Sequence, residues 1–314
     1  MTGAREGLVL SGTGGVWQVH LGRERVVDAS LRGRLKKARE QSNEEATTLK
    51  LAVGDEVRVE PGDHGDWAII EILPRRSKLA RRAPGGAHGE RILAANVDQV
   101  IVMFAAIKPE PHPRMLDRFL VIAEANELPS RVVINKIDLV DPAATAKVFA
   151  PYERAGYPVH YVSVKGRVGL EPLHDAFAGH VSVLTGPSGV GKSSLLNATF
   201  PGANLRVGEI SESVQKGRHT TVGSIMLALP GESGGFVVDT PGLREVGLSA
   251  IPSDRLDVCF PEFRAHLDRC KFGDCKHVAE PQCGVRDALK RGDISAARYE
   301  SYVLLLADLE NERG

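Results

Sequence analysis

The sequence predicts a multidomain protein with a small β-barrel first, a doubly wound α/β domain in the middle and a small, mostly helical module last. Three observations predict this architecture: five short β-favouring runs near the N-terminus, a glycine-rich loop between a strand and a helix, and three cysteines close together near the C-terminus. The 314 residues suffice for two or three domains. We place the domains at residues 1–75, 93–250 and 251–314, with a basic linker at residues 76–92.

Composition narrows the class of protein. With 42% hydrophobic and 25% charged residues, the chain has the composition of an ordinary globular protein. The formal net charge is zero, so there is no overall attraction to nucleic acid, although charge can be segregated locally. We find neither a signal peptide nor an apolar run of the ~18 residues that a membrane span needs. We therefore expect a cytoplasmic monomer without a membrane partner.

The first 75 residues contain five strand patterns separated by glycine-rich turns. Five strands in so short a segment suit an OB-fold, a closed barrel that commonly binds oligonucleotides. Residues 31–39 carry five positive charges and no acid, and residues 75–82 carry five more. Such clusters favour the phosphate backbone of nucleic acid, and the alternative is that they are solvated loop charges. Residues 77–91, rich in glycine, proline and arginine, indicate the linker.

A glycine-rich loop follows the apolar run 181–184 and opens a helical pattern, which is the context of a phosphate-binding loop. Its glycines would let backbone N–H groups and a helix N-terminus face a polyphosphate. Lys192 would neutralise the β- and γ-phosphates, and the Ser193 hydroxyl would ligate Mg²⁺. The alternative is a glycine-rich turn that matches by chance. The loop comprises Gly186, Pro187, Ser188, Gly189, Val190, Gly191, Lys192, Ser193 and Ser194.

Two segments that precede this loop indicate guanine recognition. Residues 135–138 read Asn-Lys-Ile-Asp after a strand pattern, and the Asp138 carboxylate would accept hydrogen bonds from guanine N1 and its exocyclic amine. Adenine cannot supply this pair of donors, so GTP is favoured over ATP. Residues 163–165, Ser-Val-Lys, resemble an element whose backbone helps to read the guanine oxygen. The predicted nucleotide contacts in these segments are Asn135, Lys136, Ile137, Asp138, Ser163 and Lys165.

Two segments after the loop are expected to lie near Mg²⁺ and the γ-phosphate. Residues 217–221 read Gly-Arg-His-Thr-Thr and offer the hydroxyl of Thr220 or Thr221, of which we favour Thr221. A further strand pattern ends in Asp-Thr-Pro-Gly, where Asp239 would hold the Mg²⁺ environment and the Gly242 amide would contact the γ-phosphate. The predicted Mg²⁺ ligands are therefore Ser193, Thr221 and Asp239.

The residue that follows Gly242 affects the expected rate of GTP hydrolysis. Ras-like enzymes carry a glutamine there that orients the attacking water, and this chain carries Leu243. Because leucine cannot hydrogen-bond to water, we expect slow intrinsic hydrolysis and a catalytic group from elsewhere. His219 is the local candidate for that group. The alternative is a loop histidine that contacts only phosphate or solvent.

The order of the motifs is rearranged relative to Ras-like enzymes. There the phosphate loop comes first, whereas here residues 135–138 precede residues 186–194. This order resembles the circularly permuted GTPases. A permuted chain can build the same doubly wound sheet, with the ligand at the carboxyl ends of the strands. The segment after Gly242 then leads directly toward the C-terminal module.

The C-terminal module carries the pattern C-x4-C-x-H-x5-C. Three thiolates and one imidazole form a closed tetrahedral set that suits structural Zn²⁺ and leaves no position for a reacting water. The alternative is a set of free cytosolic cysteines beside a histidine. Cys259 lies outside the pattern and is expected to be a small buried side chain. The predicted zinc ligands are Cys270, Cys275, His277 and Cys283.

Barrel, permuted GTPase motifs and cysteine pattern together resemble the bacterial ribosome small subunit-dependent GTPase A family over essentially the whole chain. The resemblance implies hydrolysis of GTP to GDP and phosphate, stimulated by the small ribosomal subunit late in its assembly. It also implies contacts with rRNA near the decoding region and the release of ribosome-binding factor A. One alternative is a GTP-dependent, non-catalytic switch that binds the ribosome. Another is an assembly GTPase of the large subunit, against which the barrel and the zinc module argue.

Overall fold

The computed structural model divides the chain into two compact units, each built from segments that are separate in sequence. The first unit comprises residues 1–99, 174–184 and 200–245, and the second comprises residues 100–173, 185–199 and 246–314. The residues that the structure describes are 3–22, 25–33, 51–62, 66–82, 90–203, 205, 224–231, 234–239, 251 and 255–311.

A closed five-stranded barrel lies in the first unit. Its strands are β1 (Arg5–Thr13), β2 (Val16–His20), β3 (Val26–Leu31), β4 (Glu56–Pro61) and β5 (Trp67–Ile72). They are ordered β1-β2-β3-β5-β4, and β1 pairs with β4 to close the barrel. Alternate side chains point inward, so that Val9, Val19, Val57, Val59 and Ile69 have no solvent exposure. The predicted OB-fold barrel is confirmed.

Part of the predicted linker, residues 76–92, forms regular structure. Strands β6 (Lys78–Arg82) and β7 (Glu90–Ala95) pair antiparallel. Leu79, the second residue of β6, is fully buried. The proline and glycine that suggested a linker lie in residues 83–89, outside the described residues. The sequence pattern therefore detected the connection between these strands and missed the strands themselves.

Two arginines of the basic cluster 75–82 form ion pairs within the first unit. Arg75 donates to both carboxylate oxygens of Asp55, at 2.6 and 2.8 Å, and Asp55 is completely buried. Arg76 donates to Asp98 at 2.9 Å. The fully buried carboxylate needs this cationic partner, because an unpaired buried charge is costly. Arg75 therefore serves the fold, whereas the Arg76 side chain is 58% exposed and remains at the surface.

Six strands form the central sheet. They are β8 (Gln99–Ala105), β9 (Ser130–Asn135), β10 (Val159–Tyr161), β11 (Val181–Thr185), β12 (Ile225–Ala228) and β13 (Phe236–Asp239). Their spatial order is β10-β9-β8-β11-β13-β12. Counted from β11 and continued from β13 to β8, this order reads 6-5-4-1-3-2, which is a Ras-like sheet whose chain start has moved. The predicted circular permutation is confirmed. Every residue of β8 is buried, which explains its continuous apolar run.

Seven α-helices are defined within the described residues. They are α1 (Pro113–Ala125), α2 (Pro142–Arg154), α3 (Glu171–Phe177), α4 (Lys192–Thr199), α5 (Pro261–Leu267), α6 (Gly284–Arg291) and α7 (Ala296–Asn311). Asp141 caps α2 by accepting hydrogen bonds from two backbone N–H groups of its first turn. Gly292 ends α6 in the left-handed conformation at φ +83°, as a glycine stop requires. None of the helices described here has the length and apolar character needed to cross a membrane.

Candidate functional site

The glycine-rich loop connects β11 to α4, and two of its glycines have no room for a side chain. A Cβ on Gly186, where φ is +140°, would lie 1.9 Å from the carbonyl oxygen of Met103. A Cβ on Gly191, where φ is +102°, would lie 2.8 Å from Nδ2 of Asn135. Because L side chains rarely adopt these backbone conformations, both the strain and the contacts require glycine. The loop backbone is thereby held closely against its neighbours.

Lys192, at the start of α4, lies over this loop. The residue is 5% exposed, and its Nζ donates to the carbonyl oxygens of Gly186 and Pro187 at 2.9 and 2.8 Å. Ser193 follows it in the first turn and is also 5% exposed. The ammonium group and the helix N-terminus both place positive potential at the loop, which favours a bound anion.

A second group of polar side chains lies where β9 and β10 end. Asp138 belongs to the 3₁₀ helix Ile137–Leu139, and its Oδ1 accepts a hydrogen bond from Ser163 Oγ at 2.6 Å. Ser163 Oγ in turn accepts from the backbone N–H of Gly166 at 2.8 Å. Ser163 is buried while Asp138 is exposed, so a buried hydroxyl orients an exposed carboxylate. An oriented carboxylate acceptor is what the two donors of a guanine edge require.

Asn135 and Lys136 connect the segment after β9 to the neighbouring loops. Asn135 donates from Nδ2 to the carbonyl oxygen of Val190 at 2.8 Å, and its Oδ1 accepts from the backbone N–H of Val164 at 3.1 Å. Lys136 donates from Nζ to the carbonyl oxygen of Gly189 at 2.8 Å and also to that of Lys108. The structure therefore brings residues 135–138, residues 163–165 and the glycine-rich loop together. Lys108 contributes only its backbone carbonyl oxygen, and the identity of its side chain does not predict this contact.

The other predicted nucleotide contacts are placed only in part. Asp239 is the last residue of β13, and Lys165 is exposed in the loop after β10. His219, Thr220, Thr221 and Gly242 lie outside the described residues, as does Leu243.

The four predicted zinc ligands lie together in the second unit. The ligand atoms of Cys270, Cys275, His277 and Cys283 are all within 4.8 Å of one another. Nδ1 of His277 lies 3.3 Å from Sγ of Cys283 and 3.6 Å from Sγ of Cys270. A tetrahedral ion at about 2.3 Å from sulfur and about 2.0 Å from nitrogen would separate these atoms by about 3.5 Å. The observed spacing and the donor set both fit Zn²⁺.

Burial affects the thiols of Cys275 and Cys283. It raises the pKa of the Cys275 thiol to about 12, and it also raises the pKa of Cys283. A divalent cation among these groups would stabilise the thiolates, so metal binding and proton release are linked. Cys259 is separate from the cluster and 3% exposed, and burial raises its pKa to about 12 as well. It has the environment of an inert buried thiol.

Helix α7 anchors the loop that carries His277. The hydroxyl of Tyr299 donates to the carbonyl oxygen of His277 at 2.7 Å, and that of Tyr302 donates to the carbonyl oxygen of Lys276 at 2.9 Å. Tyr302 is 1% exposed, so its hydroxyl needs such a partner. These contacts fix the backbone around one of the four ligand residues.

A buried ion-pair network joins α7 to α1. Arg298 is 1% exposed and donates to both carboxylate oxygens of Glu262, at 2.7 and 3.1 Å, and to Asp117. Its guanidinium carbon lies 4.6 Å from the ring centroid of Phe260. Burial alone would lower the pKa of Arg298, but Asp117 and Glu262 outweigh it and raise the pKa, so the charge is kept. The C-terminal module is thus tied to a helix between β8 and β9.

The permuted sheet and the converging loops define a class of protein, the circularly permuted P-loop GTPases. The barrel precedes the GTPase motifs in the sequence and the Cys₃His cluster follows them. These two features narrow the class further. The model of the RsgA GTPase family matches residues 72–249. The chain belongs to the RsgA GTPase family and is a GTPase.

Individual relatives agree with this assignment. The "Small ribosomal subunit biogenesis GTPase RsgA" of Gemmatimonas aurantiaca is 55% identical over 311 residues, which cover 98% of this chain and 99% of the relative. YjeQ from Thermotoga maritima has a crystal structure that matches with a TM-score of 0.78 at 35% identity and 98% coverage of both chains. The structure of YloQ, described as a circularly permuted GTPase, matches with a TM-score of 0.75 at 26% identity, covering 99% and 97% of the two chains.

Proposed function

We propose that this chain is a GTPase stimulated by the small ribosomal subunit and that it acts late in the maturation of that subunit. The observation that carries the proposal is the convergence of three loops, in which Lys136 contacts the glycine-rich loop and Ser163 orients Asp138 at 2.6 Å. This arrangement supports a guanine nucleotide site. The small subunit enters the proposal through the name of the relative with 55% identity.

In this proposal the guanine base binds at Asp138, with Ser163 holding the carboxylate and Asn135 joining the base-binding and phosphate-binding loops. The polyphosphate lies on the backbone N–H groups of Gly186 and of residues 188–191, since Pro187 has none, and beside Lys192. Mg²⁺ would be held by Ser193, Thr221 and Asp239, and it would withdraw charge from the β- and γ-phosphates. His219 would orient the attacking water, because Leu243 cannot do so.

We further propose that the barrel contacts rRNA and that a single copy of the chain acts on each subunit in the cytoplasm. Arg75 is held by the buried Asp55, and Arg32 of the basic segment 31–39 pairs with Glu60 at 2.9 Å, so we assign the phosphate contacts to the remaining cations of that segment. GTP hydrolysis would be coupled to the release of ribosome-binding factor A or to a checkpoint on the subunit. One structural Zn²⁺ would be bound by the Cys₃His cluster.

The test is GTP hydrolysis by the zinc-loaded protein alone, with purified small subunits, and with large subunits as a control. We expect slow turnover alone and strong stimulation by small subunits only. A Lys192→Ala variant should lose the stimulated turnover and serves as the control for a contaminating GTPase. Tight GTP binding without any stimulated turnover would instead support the non-catalytic switch. Stimulation by large subunits would overturn the proposed partner.

A further inference from the structure

The second ring nitrogen of His277 has a carboxylate partner. While Nδ1 faces the thiols of Cys283 and Cys270, Nε2 lies 3.3 Å from Oδ2 of Asp257. His277 is 2% exposed, so this contact is made away from bulk solvent. Asp257 belongs to the 3₁₀ helix Asp257–Cys259, which precedes α5 and lies outside the cysteine pattern.

This arrangement selects one form of the imidazole ring. A neutral imidazole carries a proton on one nitrogen and a lone pair on the other, whereas an ionised carboxylate can only accept a hydrogen bond. The nitrogen that faces Asp257 must therefore carry the proton. The lone pair is then on Nδ1, which points at the thiols and is the form of the ring that binds a metal.

The carboxylate of Asp257 is itself held in place. Its Oδ1 accepts a hydrogen bond from the backbone N–H of Val258 at 2.8 Å, which leaves Oδ2 directed at His277. The rings of Phe263 and Tyr302 lie 6.3 and 6.1 Å from the imidazole ring and limit its rotation from the apolar side. Both the carboxylate and the ring therefore have a defined orientation.

We propose that Asp257 is a positioning residue of the metal centre, which holds His277 in the form protonated on Nε2 so that Nδ1 binds the metal. The inference rests on the proposed Zn²⁺ site and adds a fifth residue to it. Carboxylate partners of metal-bound histidines typically contribute 10–100-fold to metal affinity, because they orient the ring and raise its basicity.

The first test uses the full-length protein without substitution, labelled with nitrogen-15 at histidine and loaded with cadmium-113 in place of zinc. We expect coupling between cadmium and Nδ1 of a single histidine, with the proton of that ring on Nε2. Coupling to Nε2 would overturn the role of Asp257 and leave the metal site intact. A protein that binds neither cadmium nor zinc would overturn the site itself, which separates the two failures.

The second test measures zinc affinity by competition with a chelator for Asp257→Ala and Asp257→Asn. An asparagine offers one acceptor oxygen where Asp257 uses two, so we expect both variants to bind zinc about 10–100-fold more weakly. The matched control is Asp274→Asn, which removes an exposed carboxylate between two ligand cysteines. Asp274 has no hydrogen bond to His277 in the described structure. We expect its affinity to stay within about threefold of the parent protein. The proposal would be overturned if both Asp257 variants bound zinc as tightly as the parent protein does.

Discussion

Arg298 is the largest fully buried side chain among the described residues, and its charge is held by two carboxylates. Replacement by methionine would keep much of the volume and leave Asp117, 1% exposed, and Glu262 without their cation. Breaking a buried pair on one side typically costs about 3–5 kcal/mol. We expect Arg298→Met to lower the opening free energy of α7 by that amount, measured by backbone hydrogen exchange.

The matched control for this variant is Lys290→Met. Lys290 pairs with Asp287 at 3.1 Å, but both side chains are more than half exposed. Exposed pairs of this kind contribute little, so the exchange of α7 should change by less than about 0.5 kcal/mol. Equal protection of α7 in Arg298→Met and in the parent protein would contradict the proposed importance of the network.

Asp138 permits a prediction about nucleotide choice. An amide at this position can both donate and accept, so Asp138→Asn loses the match to guanine and gains one to xanthine, which has an oxygen in place of the amine. We expect GDP affinity to fall by at least about 100-fold and XDP affinity to rise, as measured by titration with fluorescent nucleotides. The GDP affinity of the Ser163→Ala variant should fall by only about fivefold, because this substitution removes one orienting hydrogen bond. Unchanged preference for GDP in Asp138→Asn would place the base elsewhere.

At the residue scale, the sequence could identify groups that recur in a spaced pattern. The cysteine spacing and the Asn-Lys-Ile-Asp segment drew attention to the zinc ligands and to Asp138. Asp257 and Arg298 belong to no pattern, because each is a single charged residue whose partners are distant in sequence. Their roles follow from burial and from distances, which composition and spacing do not contain.

Among the elements, we expect the loop that carries the cysteines to depend on the proposed metal ion for its order. Residues 270–283 contain no α-helix or strand, and α7 anchors them through the hydroxyls of Tyr299 and Tyr302. Because such a segment has little core of its own, its order depends on its ligands and anchors. Two hydroxyl contacts would not replace the four ligand bonds of the proposed Zn²⁺ site.

We expect removal of zinc by a chelator to increase backbone hydrogen exchange in residues 270–283 and at the start of α6. Strands β8 and β9, which are packed within the sheet, should keep their protection. The measurement is exchange mass spectrometry before and after chelation, with recovery on adding zinc back as the control. Unchanged exchange of the cysteine loop in protein shown to be free of metal would sink the structural role of the ion.

The elements that can be predicted from the sequence are those with a clear pattern of apolar residues or a clear end signal. Strand β8 is recognisable in the sequence because a strand buried on both faces is continuously apolar, and α6 because Gly292 marks its end. Strands β6 and β7 were missed because arginine and alanine replace the β-branched residues that identify a strand. Their pairing is continued by the hydrogen bond from the backbone N–H of Asn96, after β7, to the carbonyl oxygen of Ser77, before β6, at 2.9 Å.

Over the whole chain, the distribution of basic residues bears on how the protein would bind the small subunit. Neutralising two phosphate contacts should reduce the slope of log affinity against log salt by about 2. We expect this reduction for Lys36→Gln combined with Lys37→Gln, measured by binding to small subunits over a series of salt concentrations. These two lysines lie in the basic segment 31–39, outside the described residues.

The contrasting variant is Arg75→Gln. Because Arg75 is paired with the buried Asp55, its loss should destabilise the barrel and leave the salt dependence unchanged. The tryptophans Trp17 and Trp67 both lie in the barrel and report its unfolding by fluorescence. An unchanged slope in the double lysine variant would remove the segment 31–39 from the interface.

The order of motifs along the chain was enough to predict a permuted sheet, since each motif marks the end of a known strand. The interleaving of the two compact units was not predictable in the same way. Sequence patterns describe neighbours along the chain, whereas the units are defined by contacts between distant segments.

The permuted strand order also has a consequence for biosynthesis. Strands β8, β9 and β10 are translated before β11, so the part of the sheet that carries Asp138 leaves the ribosome before the glycine-rich loop exists. At ~5–20 residues per second, several seconds separate the two events. During that interval the nascent chain would have the proposed base-recognition loop but not yet the proposed phosphate-binding loop. With this site, a nucleotide would stabilise the sheet only late in folding, once both halves of it have been made.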